Sequence, residues 1–597
     1  MPSRVSSTRN LARTNTRHSN PESTAKAVPR PLQLQSFRRS IPFAPHNFPK
    51  RVGPRTLGER RAPVRYVTMP FSINGQARPG KQLLKTGSSM QNLTRRDFLY
   101  ASGISTAMLM TERWARGLTA PKPSDKLTVG CIGVGSQGLR VTLDLLRMPE
   151  VQVVAVCDVN RQSSDYLDWG PDELRDKVRL LLQQPAWGRS LAGPTAGREV
   201  AQSIVNTFYA NNRGKSNYHG CASYEDFREL LAKEKDLDAV VVSTPDHWHA
   251  LIAIAAMRAG KHVYSQKPMA HTVWEARQMA KVAKETGCAT QVSIFNSQTA
   301  ESRRVIDMVR SGVLGLVHRV DIWTTRASAF WKQGLKTPTT VDPVPAGLNW
   351  DMWLGPAPLR PYNHAYLPFV WRAWYDYGCG AIGDMGEYGF DTIVRALELG
   401  PADQVYASST ELFPDCYPVA STLHYRFPAR AGKPAVELHW YDGGIKPERP
   451  AELSPDAEMS VGGEGVLYSG ERGRLLTGYM AQTPRMLAPN GDLTAPLPAM
   501  TAANEPFAAS RPELGPSATS AETAHYLEWI GACHGGPPAS ANYAFEEPIV
   551  ETLMLGNVAI RTQELLQWDA AGFSLTRGSE RASSLLRPQY RAPWLAS

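Results

Sequence analysis

Some thirty residues beginning at Leu127 constrain this chain more than anything else in it. Leu127 to Ile132 (Leu-Thr-Val-Gly-Cys-Ile) is a short apolar run, as expected of a strand buried on both faces. It leads directly into Gly133-Val134-Gly135-Ser136-Gln137-Gly138, then a helical pattern from Leu139 to Arg147. A second apolar run from Val151 to Cys157 ends in Asp158, 20 residues after Gly138. The three glycines serve different ends. Gly133 permits the tight turn, Gly135 admits a close approach by a pyrophosphate, and Gly138 lets helix pack on strand. The open N-terminus of the helix offers unpaired N–H groups and the positive end of its dipole to an anion. Asp158 stands where a carboxylate meets the ribose 2′-hydroxyl of a bound dinucleotide. The spacing therefore predicts a dinucleotide site built from Gly133, Gly135, Ser136, Gln137, Gly138, Asp158, Asn160 and Arg161. A carboxylate at 158 repels a 2′-phosphate and so selects NAD, while Arg161 leaves NADP as the alternative.

Alternation of strand and helix continues downstream. Residues 238–243, 261–264 and 289–294 read as strands, and 247–259 and 272–286 as helices. Residues 163–220, polar and punctuated by Pro and Gly, read as an insertion. Strands alternating with helices imply a parallel sheet covered on both faces. Such sheets bind ligands beyond the carboxyl ends of their strands, which adds Ser243, Thr244, Pro245, His249, Gln266, Lys267 and Asn296 to the expected cofactor crevice.

Thr244-Pro245-Asp246-His247-Trp248-His249, Gln266-Lys267-Pro268 and Gly383-Asp384-Met385-Gly386, with the glycine loop, together resemble the Gfo/Idh/MocA oxidoreductases, a family of sugar and polyol enzymes. The resemblance runs from about Leu127 to the end of the chain. It implies an N-terminal Rossmann domain over 122–295 and a C-terminal α+β domain over 296–597, with a large open, mostly antiparallel sheet that commonly makes homodimers or homotetramers. It also implies that Lys267 is the catalytic lysine. A residue before proline is held out of helical geometry, so its ammonium can project toward a substrate hydroxyl and favour the developing alkoxide. Two departures stand out. The family's Glu-Lys-Pro reads Gln266-Lys267-Pro268 here, which removes a carboxylate from beside the lysine. Its Asp and His, four apart, read Asp384 and Tyr388. Spacing of i and i+4 puts that pair on one helical face. A phenol with an ordinary pKa of ~10 needs a cation such as Lys267 beside it to act as a base.

Trp371, Arg372, Trp374, Tyr375 and Asp376 precede this helix. Aromatic faces suit the C–H surfaces of pyranose rings and the charged groups suit hydroxyls, so these five are the expected substrate wall. The histidines show no ligand spacing with carboxylates or thiols, and no metal site is expected. Seven cysteines without a C-x-x-C pair read as scattered thiols.

Charge is unevenly placed. Residues 1–90 hold 17 Lys/Arg against 2 Asp/Glu, more than the formal +11 of the whole chain, so the remainder is net acidic and a nucleic-acid surface is not expected. That leader is too polar to offset the entropy of ordering and reads as disordered, with Met90 as a candidate translation start. Residues 91–121 follow, with Thr94-Arg95-Arg96-Asp97-Phe98-Leu99 and a weakly apolar stretch that resemble a twin-arginine export signal, implying a periplasmic or exported protein. No apolar run reaches about 18 residues, so no spanning helix is expected.

These readings converge on an NAD(P)-dependent oxidoreductase for a sugar, polyol or glycoside, its dinucleotide tightly held. The alternatives are a glycoside hydrolase or lyase that uses NAD transiently, and a dinucleotide-binding protein without catalysis.

Overall fold

The computed structural model describes residues 126–170, 172–212, 218–430, 432–487 and 520–594. The basic leader and the twin-arginine stretch lie outside the described residues.

Six strands form the first sheet: β1 (Leu127–Ile132), β2 (Val151–Cys157), β3 (Ala222–Tyr224), β4 (Ala239–Val242), β5 (His262–Ser265) and β6 (Thr290–Val292). Their order is β3-β2-β1-β4-β5-β6 and every pairing is parallel. Apolar residues at nearly every position of β1, β2 and β4 are buried, because helices cover both faces. Those helices include α1 (Ser136–Leu146), α2 (Glu173–Leu182), α3 (Arg198–Asn211), α4 (Phe227–Lys233), α5 (Asp246–Arg258) and α6 (Val273–Thr286). Strand order reverses between β1 and β4, and the crevice at that switch point collects the ends of β1, β2, β4 and β5.

The expected insertion is shorter than residues 163–220. Helix α3 and strand β3 belong to the regular part of the first domain: α3 packs Ala201, Ile204, Val205 and Tyr209 into its core, and the Tyr209 hydroxyl accepts the Val153 N–H at 2.9 Å. Strand β3 escapes a reading from pattern because it is three residues long, half-buried at the sheet edge, and carries no apolar run.

The second sheet has nine strands in the order β13-β12-β11-β7-β10-β9-β8-β14-β15, antiparallel except for β7 with β10. They are β7 (Val317–Trp323), β8 (Gln404–Ser409), β9 (Ser421–Phe427), β10 (Val436–Tyr441), β11 (Gly465–Gly470), β12 (Gly473–Thr477), β13 (Arg485–Leu487), β14 (Leu566–Asp569) and β15 (Ser574–Arg577). Helices α7 (Ala300–Arg310), α8 (Gly380–Leu397) and α10 (Tyr543–Thr562) pack between this sheet and the first domain. A boundary at residue 296 is crossed again by α9 (Ala521–Cys533), whose Tyr526, Trp529 and Ile530 join the core of the parallel sheet beside Tyr264. Aromatic packing at the far end of the chain therefore finishes the first domain.

Close approach explains two of the glycines. Gly133 has φ +80°, a left-handed conformation that favours glycine. A Cβ on Gly138 would sit 1.8 Å from the Gly133 carbonyl oxygen. Gly138→Ala is expected to cost at least the ~1–3 kcal/mol of an overpacked position. Gly135→Ala meets only the edge of the Tyr166 ring at 3.0 Å and should cost less. Thermal denaturation of the two variants side by side checks this ordering.

Candidate active site

A cavity of about 500 Å³ opens at the switch point and runs from the glycine loop to the first turns of α8. Of the residues expected at the cofactor, Gly133, Gly135, Ser136, Gln137, Gly138, Asp158, Asn160, Ser243, Thr244, Pro245, Gln266 and Lys267 line it. Ser243 Oγ, Thr244 Oγ1 and Gln266 Nε2 are buried in its wall without a hydrogen-bond partner. Unmet polar groups of that kind are costly unless a ligand satisfies them. With the glycine turn and the open start of α1, they make a cradle that fits a dinucleotide. Asp158 lies at the end of β2, where its carboxylate accepts the N–H of Val134 and that of Asn160, each at 2.8 Å. Burial pushes its pKa up to about 6 against the pull of these bonds.

Three expected cofactor residues are elsewhere. Arg161 points to solvent and pairs with Glu199 at 2.7 Å. His249 stands behind the wall, its ring nitrogens 2.7 Å from the Pro268 carbonyl and 2.9 Å from that of Thr244; burial lowers its pKa to about 4, so the neutral ring donates its single N–H to one of them. Asn296 is fully buried, and its amide donates to the Tyr388 carbonyl. Spacing alone located these side chains near the crevice; their direction was decided by partners distant in sequence.

Lys267 and Asp384 meet across the two domains. The ammonium donates to Asp384 Oδ1 at 2.8 Å and to the Asp384 carbonyl at 2.7 Å. The Arg372 Nε donates to the same Oδ1 at 2.9 Å. Burial alone would raise the Asp384 pKa, but Lys267 and Arg372 together outweigh it and hold the carboxyl at about 2. Thus the carboxylate that Gln266 lacks is supplied to the lysine by the second domain.

Helix α8 carries Asp384 and Tyr388 on one face into the cavity. It lies close to the sheet because Gly389 has no side chain: a Cβ there would come within 2.2 Å of Ile322. The Tyr479 hydroxyl also donates to the Met385 carbonyl at 2.7 Å. The expectation that Lys267 would activate the Tyr388 hydroxyl needs correction. The ammonium sits over the ring, 5.0 Å from its centroid, and bonds Asp384 instead. Burial, then the Asp384 carboxylate, push the phenol pKa up, so Tyr388 is held protonated and is equipped to donate rather than to act as a base.

Of the expected substrate wall, Trp371 and Arg372 line the cavity. Trp374 is in the core with its indole N–H on the Ala365 carbonyl at 3.0 Å, Tyr375 packs edge-on against Tyr417, and Asp376 pairs with Arg360. Adjacent residues in an irregular segment face different ways, and only the fold decides which turn inward.

Two acids went unremarked in the sequence. Asp246 lines the cavity, accepts the Cys379 N–H at 3.0 Å, and is pushed up to about 7 by burial. Glu387, fully buried, accepts the Met269 N–H at 3.0 Å, two residues beyond Lys267, and lies beside Glu546 and Asp391. Burial pushes it up to about 8. Nothing but the alternation of small and polar residues in α8 marked Glu387 beforehand.

A carboxyl that keeps its proton to about pH 8 when folded, but ionises near 4.5 when unfolded, binds more protons in the fold between those values. Stability then falls as pH rises through that window. Glu387→Gln retains the acceptor for Met269, so its advantage over the parent should grow from pH 5 to pH 8, reaching on the order of 1 kcal/mol. Denaturant midpoints measured across that range check it.

Comparison with known proteins places this geometry. Residues 195–294 match the model of an oxidoreductase family, NAD-binding Rossmann fold, and residues 298–405 match the companion C-terminal alpha/beta domain. These two stretches are thus similar to the paired domains of the Gfo/Idh/MocA oxidoreductases, the first of them an NAD-binding Rossmann fold. A glycosyl hydrolase family 109 protein of Shewanella baltica is 30% identical over 247 residues, covering 38% of this chain and 45% of that protein. A glycosyl hydrolase family 109 protein 1 of Shewanella sp. (strain MR-4) is 30% identical over 248 residues with the same coverage. The chain thus spans about half the length of the curated relatives it matches. Among solved structures, the WlbA dehydrogenase of Bordetella pertussis in complex with NADH and UDP-GlcNAcA aligns over 74% of this chain and 99% of its own at 14% identity, TM-score 0.44. A levoglucosan dehydrogenase in complex with NADH and levoglucosan aligns over 74% and 99% at 16% identity, TM-score 0.45.

Proposed function

We propose that this Gfo/Idh/MocA oxidoreductase acts on a carbinol carbon of a carbohydrate, with its dinucleotide held tightly in the cavity at the switch point. The observation that carries the reading is the Lys267–Asp384 contact, an ammonium fixed by a carboxylate at the mouth of a dinucleotide cradle. The glycine turn, Asp158, Ser243, Thr244 and Gln266 are the residues that would hold NAD. The pairing of Arg161 with Glu199 leaves a 2′-phosphate without its guanidinium and favours NAD over NADP. A nicotinamide held there supplies hydride acceptance and return.

The protein's own groups manage the oxygen and its proton. Lys267 uses two of its three donors on Asp384, so its third is available to a substrate hydroxyl. In that position it stabilises the alkoxide that develops as the carbinol is oxidised. As hydride leaves the carbon, the hydroxyl proton is released to water in the cavity, and Asp384, held ionised, keeps the ammonium fixed on the oxygen. Tyr388, held protonated, donates to a second oxygen of the same substrate and orients the ring. Arg372 keeps Asp384 ionised and fixed.

A second reading shares this first step and is favoured by the glycosyl hydrolase family 109 relatives. Oxidation of a ring hydroxyl acidifies the neighbouring C–H; loss of that proton expels the glycosidic substituent, which leaves as its alcohol; water adds to the double bond in a hydrolase and does not in a lyase; and hydride returned to the carbonyl leaves no net redox change. On either reading the twin-arginine pattern supports a location outside the cytoplasm, and export in the folded state would carry the dinucleotide along. The resemblance to the family supports a homodimer or homotetramer.

Mass spectrometry of the purified protein is expected to find bound NAD. A carbohydrate panel followed at the nicotinamide absorbance separates the readings: net oxidation supports the first, and aglycone release without added NAD supports the second. Lys267→Ala should lower turnover about 10²–10⁴-fold in either assay while the dinucleotide stays bound. Undiminished turnover in that variant overturns the mechanism.

A further inference from the structure

The same cavity continues past the acid–base cluster into a wall of aromatic rings drawn from three segments of the chain. Trp169 comes from the segment between β2 and α2, Phe330 and Trp331 from the segment after β7, and Phe369 and Trp371 from the loop ahead of α8. Trp169 lies edge-to-face with Phe330 at 5.7 Å and with Phe369 at 5.6 Å, and Phe369 with Trp331 at 6.0 Å. Trp169 is 45% exposed and Phe330 37% exposed. Large rings left open to water forgo hydrophobic stabilisation, and here they are clustered on one cavity rather than scattered.

The rings are held in place beforehand. The Arg140 guanidinium lies 5.4 Å from the Trp169 ring centre and is itself anchored by Asp168 and Glu173. Arg372 stands 4.0 Å from the Phe369 ring centre and 4.2 Å from that of Trp371. Its Nε is the group that bonds Asp384, so one side chain joins the aromatic wall to the acid–base cluster. A ligand ring seated on the wall therefore adjoins whatever is held at Lys267. Arg140 is matched by Asp168 and Glu173, and Arg326, 4.7 Å from the Phe330 ring centre, by Glu464, so around Trp169 and Phe330 the wall offers ring faces and little net charge.

We propose that this wall is a second sugar-binding subsite, taking an uncharged pyranose ring linked to the sugar that reacts. The inference rests on the carbohydrate reading above and narrows it: the substrate is an oligosaccharide or glycoside rather than a free monosaccharide. Stacking of C–H faces on Trp169 and its neighbours supplies the affinity, and the paired charges give a uronate or phosphorylated ring no advantage.

Calorimetric titration of the full holoenzyme with cellobiose, maltose and lactose, against glucose and galactose, tests it. At least one disaccharide should bind about tenfold or more tightly than either constituent. In Trp169→Ala that ratio should fall toward one, and in Trp169→Phe, which keeps a ring, most of it should return. Equal affinity for mono- and disaccharides in the parent, or loss of affinity for both in the same proportion in Trp169→Ala, overturns the subsite and leaves the carbohydrate reading standing. Failure of every sugar to bind overturns both.

Discussion

One ammonium–carboxylate contact joins the two domains chemically. Lys267 comes from the end of a strand in the parallel sheet, and Asp384 from a helix that belongs with the antiparallel one. Both are nearly removed from water, at 13% and 11% side-chain exposure. Removing either would leave a buried charge without its main partner, which costs far more than the pair gains. The pair therefore fixes how deeply α8 enters the crevice as well as the direction of the lysine. Arg372 reinforces it from the far side and ties it to the aromatic wall.

Around this contact the ionisable groups are sorted by environment. Asp384, flanked by two cations, stays charged, whereas Asp246, Glu387 and Tyr388, sharing the same region with less compensation, retain their protons more tenaciously. One low-dielectric space thus holds an ionised carboxylate beside groups that keep their protons to higher pH, because opposite charge favours ionisation and burial opposes it. That division suits chemistry in which a single oxygen must be polarised while its neighbours are only oriented. It also explains why the tyrosine at 388 keeps its proton: the cation that would lower its pKa is already committed to Asp384.

Much of the cofactor cradle was legible from local pattern. Gly133, Gly138 and Asp158 occupy the places that their spacing assigns, since strand, turn and helix lie within thirty residues and little else intervenes. Lys267, Asp384 and Tyr388 were found by motif and do meet in one cavity. What local pattern missed has a common character. His249 and Asn296 were drawn onto backbone carbonyls behind the wall, and Trp374 and Tyr375 were claimed by the core. Trp169, in a segment read as an insertion, faces the cavity because Arg140 and two phenylalanines hold it there.

Sequence alone determined the doubly wound half of the molecule and its switch-point crevice, because periodicity and glycine spacing are local properties that survive in one dimension. Tertiary structure decided which carboxylate serves Lys267, which protons stay put and which aromatic rings face the cavity. Those outcomes depend on distances between residues more than a hundred positions apart and on how completely water is excluded around them, and neither quantity is written in any short stretch of chain.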